Sequence, residues 1–218
     1  MSSRGEEAGR KRYSTPVRDA RAAATRARIR SIAEALFLDH GYVRTSMSQI
    51  AKAAGVAEKT LYLVFPTKAA LLNEVIVSSI RNEGSDRPFR EQMRTALAAP
   101  PARLIELFAE ANAQLMERTA RVMALGESAA PTDPQLAELR ERGHDAMHAD
   151  FRAVAEALAA QGALADDIDA DSAAATIYAL VNESVYLRLV DGFGWTTERY
   201  RDWLVRALVK ELLAPAAP

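Results

Sequence analysis

Residues 45–68 carry the side chains whose chemical types and spacing best suit a binding function. Hydroxyl, ammonium and phenol groups follow one another there in two short segments separated by Gly55. Such groups hydrogen-bond to phosphate oxygens and to the edges of bases, so this region is a candidate for contact with a nucleic acid.

Two short helices must position these side chains. The first is predicted to begin after Ser46, a natural N-cap, and to end at Gly55. The second is predicted from Glu58 to Phe65, where Pro66 ends it. Together they form a helix-turn-helix at about residues 47–65, whose second helix fits a major groove about 12 Å wide. The alternative interpretation is a structural corner.

The apolar spacing separates an inward face from an outward face of these helices. The inward set, which would pack the pair onto a preceding helix over about residues 20–40, is Ile50, Ala51, Val56, Leu61 and Phe65. The outward set on the second helix is Glu58, Lys59, Thr60, Leu63 and Val64. So short a helix with so many outward residues is a poor core element, which favours the DNA-reading interpretation.

The charge distribution agrees modestly with that interpretation. Residues 1–68 contain 13 Lys or Arg and 6 Asp or Glu, whereas residues 69–218 contain 15 and 23, so the net charges are +7 and −8. A basic end on an acidic body suggests that one part meets a polyanion. A solvated basic tail is the alternative.

Residues 1–18 show no apolar periodicity and are predicted to be disordered. This segment could follow the phosphates or enter a minor groove, or it could be a tail that aids solubility. The basic residues that precede the helix-turn-helix are Arg4, Arg10, Lys11, Arg12, Arg18 and Arg21, of which Arg21 lies in the next predicted helix.

The order of residues in the helix-turn-helix region strongly resembles the DNA-binding domain of the TetR (tetracycline-repressor) family. The matching stretches are GYVRTSMSQIA (41–51), AGVA (54–57), TLY (60–62) and FPTKAALL (65–72). The resemblance covers roughly residues 25–75. It implies a sequence-specific, DNA-binding transcription regulator, typically a repressor that a small ligand releases from its operator.

The resemblance also implies roles for the candidate residues. Phosphate or DNA-backbone contacts are implied for Thr45, Ser46, Tyr62 and Lys68, and base-edge or phosphate contacts for Ser48, Lys59 and Thr60. For Thr45 and Ser46, helix capping is a second role compatible with the first.

Three positions depart from the family pattern. Leu63 and Val64 stand where relatives often carry aromatic or histidine residues, so contacts there would be apolar. Glu58 could accept a hydrogen bond from cytosine N4, or it could be a favourable charge in the first turn of a helix.

The rest of the chain shows helical periodicity and no strand signal. Helices are predicted over about 67–80, 89–98, 100–125, 134–161, 169–190 and 196–213, with a break at 84–88. The predicted fold class is all-α, with a three-helix helix-turn-helix head, a helical ligand-binding and dimerisation body, and about nine helices. The predicted divisions are an arm over 1–18, the head over 19–66 and the body over 67–218.

A homodimer is predicted, because one short recognition helix reads few base pairs and two copies about one DNA turn apart solve that problem. The resemblance places the dimer contacts on the last two helices, residues 169–190 and 196–213. The candidate contact residues, which could instead be core of one protomer, are Val181, Val185, Trp203, Leu204 and Leu208.

The resemblance further implies a small-molecule effector of unknown identity in a cavity between the middle helices. Candidate lining residues are Phe108, Asn112, Met116, Met147, Phe151, Tyr178, Asn182 and Tyr186. Residues of these types in such positions more often belong to the ordinary core than to a ligand site. The two asparagines are the better candidates, because amides within apolar stripes need hydrogen-bond partners.

Other function classes find little support. The chain has no cysteine, which excludes disulfides and thiol chemistry, and no apolar run reaches the ~18 residues of a membrane span. His144 and His148 are four residues apart, but without the HExxH motif we expect no metal. No catalytic motif or cofactor site is evident, so we do not expect an enzyme. We expect a cytoplasmic protein, because the sequence shows neither a membrane span nor a signal peptide. The alternatives are a nonspecific architectural DNA-binding protein and a helical small-molecule binder with a vestigial head.

Overall fold

The computed structural model describes residues 16–81 and 89–214, which form ten α-helices, a 3₁₀ turn and a π-helical turn. The all-α class is therefore confirmed, with one helix more than the nine expected. The basic arm, apart from the residues that begin the first helix, and the break predicted at 84–88 lie outside the described residues.

Three helices form the head: α1 (Pro16–His40), α2 (Met47–Ala53) and α3 (Glu58–Val64). Gly41 ends α1 with φ +78°, and Gly55 turns the chain between α2 and α3 with φ +63°. Both angles lie in the left-handed region that favours glycine, so these two positions allow tight turns that other residues would strain.

A long helix joins the head to the body. It follows α4 (Lys68–Arg81) and α5 (Phe89–Leu97), spans Pro101–Ala129 as α6, and continues into a 3₁₀ turn at Ala130–Thr132. Gly126 on α6 faces α4, and a Cβ atom at that position would lie 2.8 Å from Ile76 Cδ1. The missing side chain therefore lets α6 lie close against α4.

The body is completed by α7 (Pro134–Ala160), α8 (Ala170–Leu180), α9 (Glu183–Leu187), the π turn (Arg188–Gly192) and α10 (Thr197–Leu212). The single helix predicted over 169–190 is wrong. Asn182 has extended backbone angles, and its Oδ1 accepts a hydrogen bond from the N–H of Val185 at 2.9 Å. Because that side chain caps a new helix, the chain breaks between α8 and α9.

Two apolar clusters form the core. The head cluster combines α1 to α4 with the end of α6 and the start of α7, through Val122, Ala129 and Leu136. The body cluster combines α6 to α10. Since the head cluster includes body residues, apolar contact is continuous from head to body.

No single described helix is long and apolar enough to cross a membrane. The bent pair α3 and α4 meets the length and composition limits only when both helices are taken together. Leu61, Leu71 and Leu72 of this pair are fully buried in the head cluster.

Candidate nucleic-acid interface

Helix α3 buries one side and presents the other to solvent, as its apolar spacing predicted. Leu61 is completely buried, whereas Glu58, Lys59 and Thr60 are exposed. Leu63 is 77% exposed, the largest value among the large apolar side chains of the described residues. Leu63 therefore adds apolar surface to the side of α3 that faces solvent.

Tyr62 lies on the same open side of α3 and is 48% exposed. Val64 departs from the expected pattern, because it is only half-exposed and its carbonyl accepts a hydrogen bond from Arg26. The Arg26 guanidinium also lies 4.5 Å from the ring centre of Phe65. Helix α1 therefore covers the C-terminal end of α3.

Helix α2 begins with a complete capping box. The N–H of Gln49 donates to Ser46 Oγ at 3.1 Å, and the N–H of Ser46 donates to Gln49 Oε1 at 2.7 Å. Ser46 thus has the capping role, and its side chain is still exposed. Ser48 is also exposed, and it has no role in the cap.

Thr45 does not present its side chain on this surface. It is 1% exposed, and its hydroxyl lies 2.8 Å from the carbonyl of Gly41 and 3.1 Å from that of Leu36. Leu36 lies near the C-terminal end of α1, and Gly41 directly follows that helix. The hydroxyl therefore serves the turn between α1 and α2, and the predicted side-chain contact with phosphate is revised.

Lys68 also serves that turn. Its Nζ donates to the carbonyl of Tyr42 at 2.8 Å and to that of Thr45 at 3.0 Å, and it lies 4.2 Å from the ring centre of Tyr42. Burial lowers the pKa of Lys68, and the negative charge of Asp133 partly opposes that effect. An ammonium has three N–H groups, so one remains for a phosphate.

The same turn is tied to the body through Tyr42. Its hydroxyl donates to Asp133 Oδ2 at 2.6 Å, across 91 residues of sequence. Burial and this hydrogen bond raise the pKa of Tyr42. The hydrogen bond from Tyr42 holds the pKa of Asp133 below its usual value, against a smaller opposing effect of burial.

Sequence reasoning missed the contact between Tyr42 and Asp133. Each residue carried a partial signal, because Tyr42 belongs to the TetR-like stretch and Asp133 precedes a helix that begins with proline. Nothing in either segment shows that the two meet, since their contact depends on how α7 packs against the head.

The predicted ligand residues divide into two groups in the body. The rings of Phe108 and Phe151 meet edge to face at 5.9 Å, and Tyr178 stacks on Phe151 at 6.3 Å. Met116 and Met147 belong to the same apolar cluster. These five residues pack together or against the same cluster, on α6, α7 and α8.

The predicted polar ligand residues make hydrogen bonds within the chain. Asn112 is buried and donates from Nδ2 to the carbonyl of Phe108 at 2.9 Å, whereas Asn182 is the cap of α9. Tyr186 is hydrogen-bonded to Thr197 at 2.9 Å. Beside it, Tyr200 is 0% exposed, and its hydroxyl finds no partner among the described residues.

Two crevices open at the surface, and neither is lined by a predicted ligand residue. The larger, of about 510 Å³, has charged walls on α6 and α10 that include Glu110 and Arg201, which form an ion pair at 3.1 Å. The smaller, of about 320 Å³, lies where α1, α4 and α6 meet and includes Arg30, Glu34 and Arg118. Burial raises the pKa of Glu34 against the opposing charge of Arg30.

Three of the predicted dimer contacts are wrong. Val181, Leu204 and Leu208 are buried inside their own protomer, so they cannot reach a second copy. Val185 and Trp203 are partly buried against the same cluster.

Both histidines of α7 lie against the ring of Tyr178, with His144 at 6.4 Å between ring centres. His144 Nε2 lies 2.9 Å from Glu127 Oε1, and His148 packs edge to face on Tyr178 at 4.5 Å. In the described ranges, no group of three His, Asp or Glu side chains is placed to hold a metal ion.

Comparison with known proteins agrees with the geometry of the head and with the whole fold. Residues 29–75 match the family model of bacterial regulatory proteins of the tetR family. No curated protein matches the chain.

Solved structures similar to this fold include NalD of Pseudomonas aeruginosa, the secondary repressor of the MexAB-OprM multidrug efflux pump. It is 25% identical, with a TM-score of 0.70 over 89% of this chain and 98% of NalD. SmeT in complex with triclosan is 21% identical, with a TM-score of 0.70 over 88% of this chain and 93% of SmeT.

A transcriptional regulator from Saccharomonospora viridis in complex with choline is 20% identical, with a TM-score of 0.64 over 88% of this chain and 100% of that protein. The family match falls on α1 to α4, the elements that hold the exposed face of α3, and the fold match extends to the body. Residues 29–75 thus resemble the head of tetR-family regulators, and the chain as a whole has a fold similar to that of the repressor NalD.

Proposed function

We propose that the protein is a homodimeric repressor that binds a two-fold symmetric operator through α3 and is released from it by a small-molecule effector. The observation that carries the proposal is the open face of α3, where Lys59, Thr60 and Leu63 are exposed, whereas Leu61 on the same helix is fully buried. Such a helix projects from the head as a major-groove reader must.

Three side chains of different chemistry contact the bases. Lys59 donates to guanine O6 or N7, and Thr60 contacts a thymine methyl or a phosphate. Leu63 offers only apolar surface, and the apolar group that thymine presents in the major groove is its C5 methyl. We therefore assign a thymine to the base pair that Leu63 meets.

The remaining exposed residues surround these three. Ser48 and Tyr62 donate hydroxyl hydrogen bonds to the DNA backbone, with Ser48 also within reach of a base edge. Ser46 caps α2 and directs its exposed end toward a phosphate. Glu58 accepts from cytosine N4 or stabilises the first turn of α3, and Lys68 uses its third N–H for a phosphate.

The dimer contact is formed by the outer sides of α8 and α10. Ala175 and Ala179 lie one turn apart on α8 and are exposed, and Val209 is exposed on α10. Small side chains allow two helices to approach closely, which supports a bundle built from these helices of both protomers. Ala179→Arg should therefore yield monomers in analytical ultracentrifugation while leaving the helical content unchanged.

The effector site lies between α6, α7 and α8, where Phe108, Met116 and Phe151 belong to the body cluster and the amide of Asn112 is buried on α6. An apolar wall with one polar group suits a largely apolar molecule that carries a hydrogen-bonding group. The fold neighbours that hold triclosan and choline support a small-molecule effector for this chain.

The test is selection of genomic fragments by the purified protein, followed by measurement of affinity for the selected operator. Binding should fall steeply with salt, and Lys59→Ala should change which fragments are preferred. Arg94→Ala is the matched control, because it removes one exposed positive charge from α5 without touching α3. Equal binding to all duplexes at physiological salt would reject the proposal in favour of an architectural DNA-binding protein.

A further inference from the structure

Asp133 uses its two carboxylate oxygens for two different elements. Oδ1 accepts from the N–H groups of Gln135 and Leu136 at 3.0 and 3.4 Å, which caps α7. Oδ2 accepts from the Tyr42 hydroxyl at 2.6 Å. Capping needs only one oxygen, as Ser46 shows on α2, so the second oxygen is available to join the body to the head.

Tyr42 is packed tightly within the head cluster. It is 4% exposed, its ring packs on Phe37 at 5.7 Å, and Lys68 covers the ring and binds its carbonyl. The turn at 41–46 leads directly into α2, which packs against α3. Any displacement of Tyr42 therefore shifts the helix-turn-helix.

We propose that Asp133 is a positioning residue for DNA recognition, which acts through Tyr42 to set the orientation of the helix-turn-helix on the body. The inference rests on the proposed dimeric repressor. In a dimer the bodies are joined, so the orientation of each head decides the distance between the two α3 helices, and this distance must match the spacing of the half-sites.

The connection runs through α7, a body helix that packs against α8 and carries Phe151 of the proposed effector site. A shift of α7 thus reaches the head through Asp133 without passing along α4. The pair of Asp133 and Tyr42 is therefore a polar link between body and head, in addition to the covalent connection and to the apolar contacts of Val122, Ala129 and Leu136.

Three variants separate capping from positioning. Asp133→Ser keeps a capping oxygen on a side chain that lacks a second oxygen for Tyr42. Tyr42→Phe removes only the hydroxyl and keeps the ring, its packing and the contact with Lys68. Asp133→Asn is the conservative variant, because an amide caps α7 with its oxygen and hydrogen-bonds to the phenol oxygen with its nitrogen.

The experiment measures binding of the selected operator, of operators with one base pair added or removed between the half-sites, and of non-operator DNA. Asp133→Ser and Tyr42→Phe should each bind the natural operator about tenfold more weakly, as expected for loss of a hydrogen bond to a charged group. Both should also discriminate less between spacings. Asp133→Asn should bind like the wild type, and binding to non-operator DNA should be unchanged.

The double variant of Tyr42→Phe and Asp133→Ser should be no weaker than either single variant, because both remove the same link. Wild-type affinity and spacing preference in both single variants would overturn the inference and leave the repressor proposal standing. Failure of the wild type to prefer any fragment would overturn the repressor proposal and this inference with it. If Asp133→Ser does not fold, Tyr42→Phe decides alone.

Discussion

Helix α3 and the segment from α8 to α10 both carry apolar stripes. The stripe predicted correctly which side chains are buried and which are exposed on α3, but not in the second segment. On α3 the spacing separated the buried Leu61 from the exposed Leu63, and the structure agrees. In the second segment, Val181, Leu204 and Leu208 were candidates for a dimer contact and are buried in their own protomer. A short helix packs on its sequence neighbours, whereas a body helix has several possible partners.

The largest expected effect tests the two sides of α3 directly. Leu61→Ala should lower the free energy of unfolding by about 2–5 kcal/mol, because it leaves a cavity where α1, α2 and α3 meet. Leu63→Ala should change it by less than about 0.5 kcal/mol, since the side chain is exposed. Urea unfolding followed by circular dichroism measures both. A comparable loss in the two variants would contradict the division of α3 into inward and outward faces.

A smaller effect is expected from Tyr200 in the body, whose buried hydroxyl has no hydrogen-bond partner within residues 16–81 and 89–214. Tyr200→Phe should raise the free energy of unfolding by about 1 kcal/mol, because an unsatisfied buried hydroxyl is replaced by hydrogen. Tyr186→Phe is the matched control and should lower it by about 1 kcal/mol, since it removes the hydrogen bond with Thr197. Destabilisation by Tyr200→Phe would show that its hydroxyl has a partner in solution.

The open face of α3 can be examined one methyl group at a time. Replacing each operator thymine in turn by deoxyuridine should weaken binding about fourfold at the base pair that Leu63 meets, the effect of one buried methyl group. The penalty should vanish in Leu63→Ala. Uniform tolerance of deoxyuridine in the wild type would reject the thymine assignment.

The smallest effect concerns the pH dependence of the link between head and body. The hydrogen bond from Tyr42 depresses the pKa of Asp133 below 3.8, so the folded state favours the charged carboxylate. Its contribution to stability is complete above the unfolded pKa and is lost as the pH falls through the lower folded pKa.

Urea unfolding of the wild type and Tyr42→Phe measures this contribution. The difference in stability between them should be present at pH 6 and should shrink as the pH falls below 3.8. A difference that stays constant over that range would mean that Tyr42 does not act through the charged form of Asp133.

Much of the head was predictable because its signals are local. Ser46 and Gln49 are three residues apart and cap α2, and Gly41 and Gly55 adopt the left-handed angles that their turns require. The order of these residues also carried the TetR resemblance. The roles of Thr45 and Lys68 were harder to predict, because their partners are backbone carbonyls, which no sequence pattern marks.

The sequence by itself determined the all-α class, the helix-turn-helix and the outward face of α3, since helical periodicity, capping and glycine turns act over a few residues. Only the tertiary structure decided that Asp133 meets Tyr42, that Asn182 breaks a helix and that Tyr200 is buried without a partner. These outcomes depend on which helices pack together. Packing depends on the fit of whole surfaces, and many arrangements of the same apolar stripes bury similar areas until the side chains interlock.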